Sequence, residues 1–258
     1  MTYVRHQGTI VMFAASDRSL VACGERRSSV GGVFISEQKL HSFEGRFLWG
    51  LAGVVKWAPE APEAGLPTWD AKQIVPVILD EFRHERIDQE QGDLLGHELA
   101  RSLRSVLECL PSSGWPTQDR DSDGIFCEVA YFGADEDRLV RGVAASVLYT
   151  RTSQSFSLSH TARVLSSYES AGDRLLVLGQ PSIVSQIASG DYRLMRPYQH
   201  DESVQLLAGL TTREDLPSEV SVMAATRRLI EIVNDVCPEI GPPEDCYSLH
   251  FDGSISAW

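Results

Sequence analysis

Gly8-Thr9-Ile10-Val11-Met12-Phe13-Ala14-Ala15, Ser16-Asp17-Arg18-Ser19 and Leu20-Val21-Ala22-Cys23-Gly24-Glu25-Arg26-Arg27-Ser28 decide how this chain is read, together with Lys39-Leu40 and Leu51-Ala52-Gly53 further on. Thr9–Ala15 is apolar and partly β-branched, Ser16–Ser19 is turn chemistry, and Leu20–Cys23 is apolar again. That order predicts a β-hairpin. After the polar stretch Glu25–Ser29 and Gly31-Gly32, the runs Lys39–Phe43 and Arg46–Leu51 flank Glu44-Gly45 and predict a second pair of strands. Four short strands in succession predict a meander.

Outward from this block, the Pro/Ala/Glu-rich segment Ala58–Pro67 predicts an exposed loop. Ile74, Val77, Ile78 and Phe82 recur at helical spacing, as do Leu95, Leu99, Leu103, Val106 and Leu110. Pro76 is expected in the first turn of the first of these helices, where proline is tolerated. Pro111–Gly124 reads as a polar loop, and Ile125–Phe132 with Leu139–Leu148 as a hairpin across Gly133-Ala134-Asp135. Leu175–Leu178 predicts a buried strand and Ile183–Ala188 a short helix. A longer helix is expected from Pro217 to Val236, and Cys246–Phe251 is the last strand. Strands, helices, strands, helices, strand: that order fits one domain with two sheets between helical layers.

The chain has 258 residues and a formal charge of −13. Phosphate backbones need clustered Lys and Arg, so the acidic balance excludes nucleic acid as the expected partner and disfavours an anionic membrane surface. No apolar run approaches the length of a transmembrane helix, and Ile10–Ala15 is too short for a secretory signal. The five cysteines Cys23, Cys109, Cys127, Cys237 and Cys246 are odd in number and form no CxxC. This predicts reduced thiols in a cytoplasmic protein, not a disulfide framework or zinc site. No GxGxxG, Walker loop or HExxH occurs, so no cofactor is expected.

The N-terminal block resembles the first half of proteasome β-type subunits, members of the N-terminal-nucleophile hydrolases. The residues that carry the resemblance are Gly8-Thr9-Ile10-Val11, Glu25-Arg26-Arg27-Ser28, Lys39-Leu40 and Leu51-Ala52-Gly53. Sixteen positions separate Thr9 from Glu25, fourteen separate Glu25 from Lys39, and fourteen more lead to Gly53. The likeness covers residues 8–56; beyond them only the order of elements and the Arg174–Gly190 segment are similar. It implies an α+β fold, a four-layer αββα sandwich, as a single domain over residues 1–258. Residues 1–8 would be a short propeptide or N-terminal extension. It also implies an N-terminal threonine peptidase that cleaves amide bonds in peptide or unfolded-protein substrates within a homo-oligomeric ring, with an ATPase partner left undefined.

By the same resemblance Thr9 is nucleophile and base, Lys39 activates it electrostatically, Glu25 partners Lys39, Arg27 supports the acid, and Gly53 donates to the oxyanion. Each role has a physical reason. A threonine hydroxyl is a poor nucleophile until a base takes its proton, and an α-amine, with an ordinary pKa near 8, can do so. A nearby ammonium favours the alkoxide, and a backbone N–H at a glycine turn stabilises the oxyanion. The family's acid is an aspartate where this chain has Glu25, longer by one methylene. The family also carries an aspartate followed three residues later by serine; the match here is Asp235, followed by Pro238. Thr2, exposed by removal of Met1, is the alternative nucleophile. A catalytically silent relative used for assembly or binding, and a small-molecule amidase, are the other readings that the sequence leaves open.

Two further signals read as structure. Asp119-Arg120-Asp121-Ser122-Asp123-Gly124 copies the first half of a calcium loop, but Ala130 stands at its twelfth position, and a turn is expected. His250 and Asp252 alternate on the last strand as a solvated stripe, while Cys127 and Cys246 are expected in the core.

Overall fold

Strands that are apolar on both faces need cover on both faces, and the N-terminal hairpin is of that kind. The computed structural model of the chain describes residues 10–30, 33–59, 65–82, 86–116, 124–135, 139–237 and 239–258, and the backbone of residues 3–8. In chain order its elements begin with β1 (Tyr3–Gly8), β2 (Val11–Ala15), β3 (Ser19–Glu25), β4 (Arg27–Val30) and β5 (Val33–Ser36). Next come β6 (Leu40–Phe43), β7 (Phe47–Pro59), β8 (Trp69–Asp70), α1 (Ala71–Glu81) and α2 (Gln89–Glu108). The strands β9 (Ile125–Ala134), β10 (Val140–Arg151), β11 (Phe156–Leu165) and β12 (Leu175–Leu178) follow. The chain closes with α3 (Ile183–Ser189), α4 (Glu202–Ala208), α5 (Glu219–Val236), β13 (Pro243–His250) and β14 (Ile255–Ala257).

The strands form two antiparallel sheets among the described residues. One has the order β12-β2-β3-β13-β14; the other has β11-β10-β9-β7-β1-β4-β5, with β6 and β8 also paired to β7. The predicted hairpin is present as β2 and β3, closed by Ser16, whose Oγ donates to Ser19 O at 2.8 Å. The expected four-strand meander is not. β2 and β3 lie in one sheet and β6 and β7 in the other, because the chain leaves β3 through the single residue Arg26 and enters the second sheet as β4.

Alternation along β2 explains how both faces are buried. Ile10, Met12 and Ala14 share a cluster with Val184, Leu207, Leu229 and Ile230 of α3, α4 and α5. Val11 and Phe13 share another with Leu48, Ala52, Ala130 and Phe132 of the second sheet. On that second sheet, Leu51, Trp57, Val129 and Val147 pack with Val75 and Leu79 of α1 and Leu95, Leu99 and Leu103 of α2.

The long helices start where side chains satisfy their first amides. Asp70 accepts from Lys72 N at 3.1 Å, Asp88 from Gln91 N at 3.1 Å, and Ser218 from Ser221 N at 3.3 Å. The cap at Asp70 corrects the expectation for Pro76. The helix begins earlier than its apolar spacing suggests, so Pro76 falls inside α1 and removes one helical hydrogen bond. Strand β7 continues to Pro59, into the segment expected to be a loop. The strand expected to be the last is β13, which ends at His250; β14 follows it, and Asp252 sits in the turn between them. Ala130 is fully buried in β9, Cys127 and Cys246 are buried in their strands, and Asp119–Asp123 lie outside the described residues. No helix among the described residues is long and apolar enough to cross a membrane.

Candidate active site

Glu25 ends β3 and Lys39 immediately precedes β6, and both are fully buried. Their meeting is a consequence of topology: β3 belongs to one sheet and β6 to the other, and the pair sits where the chain crosses between them. Lys39 Nζ donates to Glu25 Oε1 and to the carbonyl of Arg27. The second carboxylate oxygen accepts from Arg27 N at 2.5 Å and Gly241 N at 3.2 Å. A buried charge is tolerable only when paired and hydrogen-bonded, and Glu25 meets both conditions. Burial pulls the Lys39 ammonium below the usual lysine range; Glu25, the nearest charge, offsets part of that shift.

Arg27 meets the pair through its main chain. Its backbone supplies both the amide that binds Glu25 and the carbonyl that receives Lys39, while its guanidinium lies 5.6 Å from the Phe34 ring centroid. The arginine that grips an acid beside the site is Arg26, which holds the buried Asp245 through Nε at 3.0 Å and Nη2 at 2.5 Å. The sequence marks Arg26 only as part of the Glu25–Ser28 motif, and it marks neither Asp245 nor Gly241. A 219-position separation between Arg26 and Asp245 leaves no local pattern to find.

Gly53 is expected at the end of a strand and instead lies inside β7, at φ +79. A Cβ there would stand 2.6 Å from Phe126 O, so only glycine fits. Its register partners are Cys127 of β9 and Gly8 of β1. The β1–β7 register shifts between His6 and Gln7, a bulge just upstream of that Gly8–Gly53 contact.

Strand β1 therefore ends against Gly53 in the second sheet, and β2 begins at Val11 in the first. Thr9 falls between them and, like Thr2, lies outside the described residues. Asp235 is exposed near the end of α5 and makes no hydrogen bond or ion pair with Glu25 or Lys39. The structure thus brings together Glu25, Lys39 and the Arg27 backbone, sets Gly53 against the residue preceding Thr9, and leaves Asp235 apart. Among the described residues no group of His, Cys, Asp and Glu could hold a metal ion.

Next to the pair, His41 stacks on Trp49, its partner across β6 and β7, with ring centroids 4.3 Å apart. Burial, helped by the charge of Lys72, lowers its pKa from 6.5 to about 4. The folded protein therefore refuses a proton that the unfolded chain accepts, and stability falls as pH drops from 6.5 towards 4, by up to about 3 kcal/mol. His41→Phe is expected to remove this component. Urea unfolding at neutral pH and at pH 4.5 should show a smaller acid-induced loss in the variant than in the wild type; equal losses would assign the acid sensitivity elsewhere.

The fold is similar to that of a solved proteasome-like protein. The Gly-1 mutant of Anbu from Hyphomicrobium sp. strain MC1, a bacterial proteasome-like protein, matches with a TM-score of 0.50 over 96% of this chain and 85% of that one. Sequence identity is 12%, so the likeness is one of fold. No family model and no curated protein matches the sequence.

Proposed function

We propose that the chain is a proteasome-like threonine hydrolase of the N-terminal-nucleophile type, with its helices and sheets stacked as a four-layer αββα sandwich in a single domain. The observation that carries this reading is the position of β1. It is inserted between β4 and β7, with His6 opposite Val30 on one side and Lys56 on the other. Neighbouring strands are about 4.8 Å apart, so withdrawing β1 would open a slot about 10 Å wide, edged by two strands with unpaired backbone groups. Such a slot accepts one extended peptide. Residues 3–8 fill it as a substrate would, and the bond that follows Gly8 is the Gly8–Thr9 bond.

Cleavage of that bond makes Thr9 the N-terminus. Its α-amine then takes the hydroxyl proton, and Oγ attacks the carbonyl of a peptide lying in the slot. Lys39, held by Glu25, favours the developing alkoxide, and the Gly53 N–H stabilises the oxyanion. The leaving amine takes the proton from the α-amine, and water releases the acyl group from Oγ. Thr2 is the alternative nucleophile, but it precedes the strand that fills the slot. Extended peptides or unfolded proteins are the substrates such a slot selects, and a homo-oligomeric ring is the assembly we expect.

Release of fluorophore from short peptides, and degradation of an unfolded protein, test the reading. Thr9→Ala is expected to abolish both with unchanged far-UV circular dichroism, because catalysis without the nucleophile typically falls by several orders of magnitude. Activity lost in Thr2→Ala but kept in Thr9→Ala would move the nucleophile to the alternative terminus. Turnover confined to small amides would make the protein an amidase, and an inert wild type would leave a silent, proteasome-like binding or assembly protein.

A further inference from the structure

On the far edge of the second sheet an open surface cavity of about 460 Å³ lies between α2 and β11, with His97, Arg101 and Arg104 exposed on its rim. Its helical wall is formed by His97, Arg101 and Arg104, one stripe at i, i+4 and i+7 along α2, and its strand wall by Leu158 and His160, which share a face of β11. Helix and strand come close here because α2 carries Gly96: a Cβ at that position would stand 2.7 Å from His160 Cδ2. The His97 and His160 rings meet edge to face, 6.1 Å between centroids.

In a chain of net charge −13, the composition of this lining is unusual. It offers two guanidiniums and two imidazoles, each with an N–H to donate in any tautomer, and no carboxylate. Glu98 is engaged by Arg101, with Nη2 to Oε2 at 2.5 Å, and does not line the cavity. Arg104 is held over the Phe156 ring, 5.8 Å from its centroid, and is the cation left to meet a ligand. Ala100 and Leu158 supply an apolar floor. The cavity has the size of a small-molecule site. Guanidinium forks beside imidazole N–H donors match the oxygens of a phosphate group.

We infer that this cavity binds a phosphorylated small molecule, its phosphate held by Arg104 with His97 and His160 and its apolar body resting on Leu158. The site is separate from the slot filled by β1, since β10, β9 and β7 lie between β11 and β1. At about 4.8 Å per strand, the two are about 19 Å apart. Its occupant is therefore not the peptide substrate, and the inference stands whether or not the protein is a hydrolase.

Titration of the full chain with phenyl phosphate and with inorganic phosphate tests it, read by calorimetry and by the imidazole proton resonances of His97 and His160. Phenyl phosphate is expected to saturate the site and to bind at least about tenfold tighter than inorganic phosphate. Arg104→Gln, at an exposed position that should not disturb folding, is expected to weaken it by about tenfold or more. Arg163→Gln, which removes an exposed guanidinium elsewhere on β11, should leave binding unchanged. The inference is overturned if phenyl phosphate shows no saturable binding at millimolar concentration, if the two histidines do not respond, or if both variants weaken binding equally.

Discussion

Lys39→Met is expected to cost about 3–5 kcal/mol of folding stability, because it strands the Glu25 carboxylate in a site from which water is excluded. The methylene stem would still fill its space, so the loss belongs to the charge and not to a cavity. Glu25 would keep its bonds from Arg27 N and Gly241 N but lose its counter-ion. Glu25→Gln alone should also destabilise, since it leaves the Lys39 ammonium buried without a carboxylate. The double variant should recover part of the sum, as neighbours that share one interaction are not additive. Urea unfolding of the four proteins completes the cycle. A loss below about 1 kcal/mol for Lys39→Met, the value of an exposed pair, would contradict the buried, coupled arrangement.

Gly53→Ala is the second large effect. The new methyl meets Phe126 O at 2.6 Å, and the residue must hold φ +79, where an L side chain is strained. Left-handed strain adds about 1–2 kcal/mol and overpacking about 1–3 kcal/mol, so a total loss of about 2–5 kcal/mol is expected. The same change displaces the backbone N–H assigned to the oxyanion, so peptide hydrolysis should fall further than the folded fraction does. Thermal unfolding together with activity per folded molecule separates the two. An alanine variant with wild-type stability would mean that β7 approaches β9 less closely at this point.

How far the sequence discloses this arrangement depends on the kind of signal each element carries. The β2–β3 hairpin is legible because Ile10–Ala15 and Leu20–Cys23 are apolar on both faces. α2 is legible because Leu95, Leu99, Leu103 and Val106 keep helical period over about three turns. β11 carries the opposite signal, strict period-two alternation of half-buried and exposed positions from Phe156 to Val164. That alternation is present in the sequence, but serine and threonine at the outward positions give it the look of a loop. β1 and β4 are not legible at all: Tyr-Val-Arg-His-Gln-Gly and Arg-Ser-Ser-Val are short and polar. They are strands because their neighbours offer paired backbone on both sides, a tertiary cause.

The site divides in the same way. Glu25, Lys39 and Gly53 are common residue types, and their order singles them out only through a resemblance. What the structure adds is that the first two are buried against each other and that the third cannot be anything but glycine. Arg27 serves the pair through its backbone amide and carbonyl, which no charge pattern in the sequence announces. Arg26 with Asp245, and Gly241 with Glu25, join positions more than two hundred residues apart, and only the folded chain brings them together.

The intact mass of protein purified from cells, followed over prolonged incubation, tests the central claim most directly. If β1 is a strand that the chain removes to uncover Thr9, the mass should fall by that of residues 1–8, and N-terminal sequencing should begin Thr9-Ile10-Val11. Lys39→Met that remains folded should retain its first eight residues under the same conditions. Protein that keeps residues 3–8 indefinitely, and yet hydrolyses peptides, would contradict the account.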